Sequence, residues 1–125
     1  MSVTTKPVPG SVAEAVTRMT GLLESRNVTV FAVVDQAAAA RKVGQTLRDT
    51  VLVVFGDPAT GTPIMAAAPG AALDLPLKVL IWDDGGQTVV SYRDPVELAV
   101  EQGAPQELAA GLGAVNVLTD ALAKG

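Results

Sequence analysis

Apolar positions along the chain recur with two different periods, and the switches between them mark the elements. Val12, Ala15, Val16, Met19, Leu22 and Leu23 repeat at helical spacing, which places them on one stripe. Ser11 and Glu14 stand at capping-box spacing ahead of it, so that each can serve an orphan backbone donor. A helix is predicted from Ser11 to about Arg26 and Asn27. Before it, Ser2 to Val8 alternates weakly around Val3, Thr5 and Pro7, and Pro7 and Pro9 confine that first strand to an edge or end its pairing. Val28 to Val34 is rich in β-branched residues and predicts a strand buried on much of both faces. Asp35 stands at a natural N-cap position for a short Ala-rich helix, Gln36 to Val43, which Gly44 stops. After the polar connector Gln45 to Asp49, Val51 to Phe55 predicts a third strand in a central position.

The next stretch, Phe55 to Trp82, is rich in Gly, Pro, Ala and Thr. Connections of that length within a small domain are uncommon and are functional or packed on themselves. Thr62-Pro63 has the look of an N-cap followed by proline at the first helical position. One or two turns over Ile64 to Ala68 follow, before Pro69-Gly70. Pro76 then precedes a strand from Leu77 to Trp82. Leu77, Val79 and Ile81 share one of its faces, and Lys78, Leu80 and Trp82 the other. Asp83-Asp84-Gly85-Gly86 predicts a hairpin turn with Thr88 to Arg93 as the returning strand, and Trp82 and Tyr92 then read as a cross-strand pair. Asp94-Pro95 opens a short helix that Gly103 ends. Pro105 opens the last helix, with Leu108, Leu112, Val115, Leu118 and Leu122 as its stripe. Gly111 and Gly113 weaken that helix and point to close packing against a neighbour.

The order is strand, helix, four strands, helix, with short helices in the connections. Only the first helix crosses over between strands. This predicts an α+β fold, a mainly antiparallel sheet of about five strands with two longer helices on one face. At 125 residues the chain reads as a single domain over 1–125. Hydrophobic residues make up 49% but aromatic residues only 3%, so Ala, Val and Leu must build the core. A net charge of -4 with scattered Lys and Arg leaves no basic footprint for nucleic acid. MSVTTKPVPG lacks the apolar segment of a signal peptide, and no apolar run reaches membrane-spanning length. A soluble cytoplasmic protein with neither a nucleic-acid nor a membrane partner is the expectation.

The chain has no His and no Cys. Serine triads, imidazole ligands, thiolate metal sites and disulfides are therefore excluded, and no phosphate-binding glycine loop is present. Carboxylates are what remains for acid/base or metal chemistry. Asp35 is explained as a helix cap, Asp57 as a turn residue before Pro58, and Asp83 and Asp84 as hairpin residues. Asp74 lies between apolar residues in Ala71-Ala72-Leu73-Asp74-Leu75-Pro76, where a partly buried carboxylate needs donors. The amides of a Thr60-Gly61-Thr62 turn, or Arg48, are the expected donors. The candidate ligand-binding set is Asp35, Gln36, Arg48, Asp57, Thr62 and Asp74, in a pocket between the Asp35–Gly44 segment and the Asp57–Asp74 connection. No catalytic residue, metal or cofactor is expected.

Several of these residues also carry a family resemblance. Val30-Phe31-Ala32, Asp35, Ala38-Ala39, Gly44, Leu47-Arg48, Phe55-Gly56-Asp57-Pro58, Gly61-Thr62-Pro63, Met65, Pro69, Leu73-Asp74-Leu75-Pro76-Leu77, Trp82, Tyr92 and Asp94-Pro95 occur in an order that resembles the bacterial and archaeal domain of unknown function 302 family. The resemblance implies a TATA-binding-protein-like α+β arrangement and a homodimer. It implies no reaction, substrate or catalytic residue, since none is established for the family, and a shared fold does not carry a shared function. Where family members often have His after the Asp at position 35, this chain has Gln36, so an imidazole role there is absent. The favoured function is a non-catalytic, small-molecule-binding or regulatory homodimeric module. A structural, partner-binding subunit and a carboxylate-based, metal-assisted enzyme are the alternatives.

Overall fold

The computed structural model describes residues 2–125. Among these residues five strands form one sheet in the order β1-β5-β4-β3-β2, and every neighbouring pair is antiparallel. They are β1 (Val3–Pro7), β2 (Thr29–Asp35), β3 (Thr50–Gly56), β4 (Leu77–Asp84) and β5 (Gln87–Arg93). The crossover helix α1 (Val12–Ser25) carries the chain from one edge of the sheet to the other. Ser11 caps it in a complete capping box: Ser11 Oγ accepts from the Glu14 amide at 3.1 Å, and Glu14 Oε1 accepts from the Ser11 amide at 2.9 Å. The Ser11 amide, the Ser11 hydroxyl and nearby Arg18 together hold the Glu14 carboxyl below its ordinary range.

Met19 and Leu23 of α1 pack with Val53, Phe55, Val79, Ile81 and Val90 of the sheet, all essentially buried. Val115, Leu118 and Leu122 of α6 (Ala114–Lys124) close the same core. The two longer helices thus cover one face of the sheet. A second, smaller core is centred on Ile64 and built otherwise mainly from Ala68, Ala71, Ala99, Ala104, Ala109 and Leu112. It lies under α3 (Pro58–Ala67), a 3-10 turn over Pro69–Asp74, α4 (Pro95–Glu101) and α5 (Gln106–Ala109). The scarcity of large side chains in the sequence is felt most here.

Four expectations are corrected by the fold. β2 is not buried on both faces: it is an edge strand, with Phe31, Val33 and Val34 exposed by 53%, 47% and 37%. The short helix after it, α2 (Gln36–Lys42), buries only Ala37 and leaves the strand uncovered. The helix in the long connection starts at Pro58 rather than Pro63. Asp57-Pro58 precedes Thr62-Pro63 and has the same cap-plus-proline chemistry, and Asp57 Oδ1 accepts from the Ala59 amide at 3.0 Å. Pro63 then sits inside α3, removing one donor without ending the helix. The last helical region is interrupted by a 3-10 turn over Ala110–Gly113, because the glycines lower helix propensity there and because α3 crowds the site. A Cβ on Gly111 would lie 2.9 Å from Thr60 Cγ2, so the expected close approach is real at that glycine. Finally, Trp82 and Tyr92 do not pair. Trp82 stands opposite Val89 on the open face, where its Nε1 donates to Ser91 Oγ at 3.0 Å, whereas Tyr92 is buried in the core.

The β4–β5 turn is made by Gly85 and Gly86, with φ of 62° and 99°, and Asp83 Oδ1 accepts from the Gly86 amide at 2.8 Å. Both positions lie in the left-handed region, where a Cβ costs about 1–2 kcal/mol. Gly85→Ala and Gly86→Ala are each expected to lower the unfolding free energy by that amount, seen as a lower urea midpoint with an unchanged m-value, since among the described residues nothing lies within 4 Å of the added Cβ.

Candidate functional site

A cavity of about 240 Å³ opens where β2, β3 and β4 meet α3 and α6. It exists because the long connection rises off the end of β3 at Asp57, runs as α3, and returns to β4 through Leu75-Pro76. Phe55, Leu77 and Leu118 form apolar walls, and Met65 and Leu112 add to them. The sheet bulges between Val30 and Ala32, which leaves Phe31 as the extra residue. Bulges of this kind re-aim a side chain, and the Phe31 ring lines the cavity beside Gly56. A Cβ on Gly56 would stand 3.3 Å from that ring and 3.5 Å from Pro76. Many of the residues that carry the family resemblance converge here, from Phe55-Gly56-Asp57-Pro58 and Gly61-Thr62 to Leu75-Pro76-Leu77.

Of the candidate residues, Asp57 and Thr62 line this cavity. Asp57 holds the start of α3 and takes a further, longer contact of 3.4 Å from the Thr60 hydroxyl. Asp35 lies elsewhere, capping α2 through the Ala38 amide at 2.9 Å, and Gln36 is the exposed first residue of that helix. Arg48 is exposed in the connector before β3. The cavity is therefore bounded by α3 and α6, not by the Asp35–Gly44 segment. Asp74 is half-buried and lines a different cavity. The amides of Thr60 and Gly61 do not reach it, since both donate to the Asp57 carbonyl at 3.0 and 2.9 Å as part of the helix start. Among the described residues no group of three or more acidic side chains is placed to hold a metal ion.

One polar cluster escaped the sequence reading. Lys6 Nζ donates to Thr119 Oγ1 at 2.7 Å, pairs with Asp120 Oδ1 at 2.8 Å and lies 5.3 Å from the centre of the Tyr92 ring. The Tyr92 hydroxyl donates in turn to Asn116 Oδ1. The available signal was the alternation of the first strand, which turns Lys6 inward while Thr5 and Pro7 face out. Burial pulls the Lys6 ammonium down, but Asp120 and then Tyr92 outweigh it and hold its pKa above the ordinary value. A raised lysine pKa stabilises the fold fully below the unfolded value and is lost as pH rises through the folded one. Stability is thus expected to fall at the alkaline end, beyond about pH 10.4, and Lys6→Met should flatten that fall in urea melts. Thr119 is fully buried, so Thr119→Val, which strips Lys6 of a partner, is expected to cost about 1–3 kcal/mol.

Comparison with known proteins gives three kinds of likeness. A crystal structure of an uncharacterised conserved DUF302 protein from Bacillus stearothermophilus superposes with a TM-score of 0.87, covering 98% of each chain at 17% identity; at that identity the likeness carries the fold alone. Curated relatives named fluoride-specific ion channel FluC 1, from Brucella suis and Brucella abortus, are each 39% identical over 90 residues, or 71% of this chain. The chain spans only about a third of their length, 35% and 33%. The family model described as domain of unknown function DUF302 matches residues 4–124, and the chain belongs to that family.

Proposed function

We propose that the chain is a non-catalytic binding module, working as a homodimer, that takes a small apolar molecule into the cavity under α3. The cavity itself carries this reading: it is formed by the fold, its walls are mostly apolar, and Asp57, Thr60 and Thr62 add a few polar groups to the lining, which is the general character of ligand sites. Its 240 Å³ exceeds the roughly 150 Å³ that accommodates a benzene, so a substituted or fused ring or a short branched chain fits. Among the described residues no Lys or Arg lines it and Asp57 does, which favours a neutral or amine-bearing head over a carboxylate. Asp35, Asp57 and Asp74 stand in three separate settings, which offers no convergent pair for acid/base work. For the dimer, the supporting feature is the outer edge of β2, proline-free and uncharged up to its last residue Asp35, with Phe31, Val33 and Val34 exposed, the kind of edge that proteins otherwise protect.

Gly61 provides the test. A Cβ there meets only the Met65 methyl, at 3.8 Å, and leucine is favoured over glycine in a helix. Gly61→Leu should fold and fill the cavity. Neutral and amine-bearing aromatic and aliphatic compounds, screened by thermal shift, should stabilise the wild type, by about 2.7 kcal/mol at 100 times the dissociation constant, and leave Gly61→Leu unmoved. No shift with any compound, or equal shifts in both proteins, would remove the reading. Sedimentation equilibrium should give a dimer for the wild type and a monomer for Val33→Lys.

The Brucella relatives favour a second reading, that the chain serves as an extramembrane companion of a fluoride channel. No helix among the described residues is long and apolar enough to cross a membrane, whereas a pore formed by helices needs such segments. In those relatives the pore would then reside outside the matched third. The cavity does not suit fluoride itself, a strongly hydrated anion that an apolar wall and a carboxylate repel. Co-purification in detergent with a co-expressed fluoride channel would support this companionship, and independent elution of the two would oppose it.

A further inference from the structure

β4 and β5 do not pair along their whole length. Their ladder runs from Asp84 opposite Gln87 to Leu80 opposite Ser91 and stops, although both strands continue, β4 back to Leu77 and β5 on to Arg93. A continuous register would set Val79 against Tyr92 and Lys78 against Arg93. Instead, where the strands part, a cavity of about 340 Å³ opens. Asp74, Lys78 and Arg93 are among the residues that line it, and Leu80 and Leu98 supply apolar surface.

The charges are arranged unusually. Asp74 is half-buried, yet among the described residues it makes no ion pair within 4.0 Å, and neither does Lys78, although both line the same cavity. Opposite charges that share a cavity without closing on each other suit a molecule bearing both charges. We propose that this gap is a second binding site, for a small zwitterion of the α-amino acid class with an apolar side chain. Its ammonium is taken by Asp74, its carboxylate by Lys78, and its side chain by Leu80 and Leu98. Charge-assisted hydrogen bonds of this type are the stronger kind, and a ligand of either charge alone leaves one protein charge unserved.

Two-dimensional amide NMR of the full chain tests this with leucine and methionine, and with isopentylamine and 4-methylpentanoate as single-charge controls. The amino acids should shift the amides of Asp74, Lys78 and Ser91 to Arg93, at least tenfold more tightly than either control. Asp74→Asn and Lys78→Met, each checked for folding by its own spectrum, should weaken them tenfold or more, and Gly61→Leu should not. Binding unchanged in both charge variants, shifts confined to Gly61 and Met65, or no shift at millimolar amino acid would overturn the proposal. A failure of the cavity under α3 to bind any compound would leave the shifts expected at Asp74, Lys78 and Ser91 to Arg93 unchanged, so the two sites stand or fall separately.

Discussion

Phe55→Ala is expected to lower the stability of this protein by about 3–5 kcal/mol, the range for truncating a buried aromatic. Phe55 is 1% exposed and heads the largest fully buried side chains. It faces α1 and α6 within the main core and at the same time walls the cavity under α3. Truncation therefore adds its volume to a space that already exists, and the surroundings have little means of collapsing into it. The cost belongs near the top of the range. Against a total stability of about 5–15 kcal/mol for a domain, the melting temperature should fall by something on the order of 10–20 °C. Phe55→Leu, which keeps most of the volume, should cost well under half as much. Differential scanning calorimetry on the three proteins decides it, and equal melting temperatures would show that Phe55 does not bridge core and cavity as described.

Ile64→Ala is expected to cost about 2–5 kcal/mol, with a different signature. Ile64 is fully buried, and its neighbours in the smaller core are mostly alanines. Alanines have no longer side chains to swing into the vacated space. The loss should fall on that core, leaving the sheet's own core of valines, leucines and Met19 intact. Native-state hydrogen exchange should show α3, the Pro69–Asp74 turn and α4 opening at much lower free energy, with β3, β4 and β5 still protected; local stability tracks buried apolar contact in this way. A uniform fall in protection across both parts would mean that the two cores unfold as one. Leu77, which packs against both, is where such coupling would pass.

Much of the fold was legible because local chemistry and global architecture agree. Ser11 with Glu14, Asp35, Asp94-Pro95 and Gly85-Gly86 each specify a cap or a turn from short-range interactions alone, and the helical stripes of α1 and α6 name the residues that reach the core. The misreadings have a common cause, since each concerned a feature decided by what lies across space. A run such as Thr29 to Val34 has the same composition in an interior strand as at an edge. Thr62-Pro63 looks like a helix start until Asp57-Pro58 has already begun one. The cluster at Lys6 needed α6 to be brought against the first strand, more than a hundred residues away in sequence.

For the sites, the sequence marked residues but could not group them. Asp57 and Thr62 were singled out and do share a cavity, while Asp35, Gln36 and Arg48 lie outside it and Asp74 belongs to another. By itself, the sequence determined the α+β order of elements, the capping residues, the family, and the absence of imidazole and thiol chemistry, because these depend on residue type and short spacing. Only the tertiary structure decided which edge is left bare, where β4 and β5 part, and that the long connection encloses an apolar cavity. Those features arise from segments distant in the chain meeting at particular distances, which no local pattern encodes.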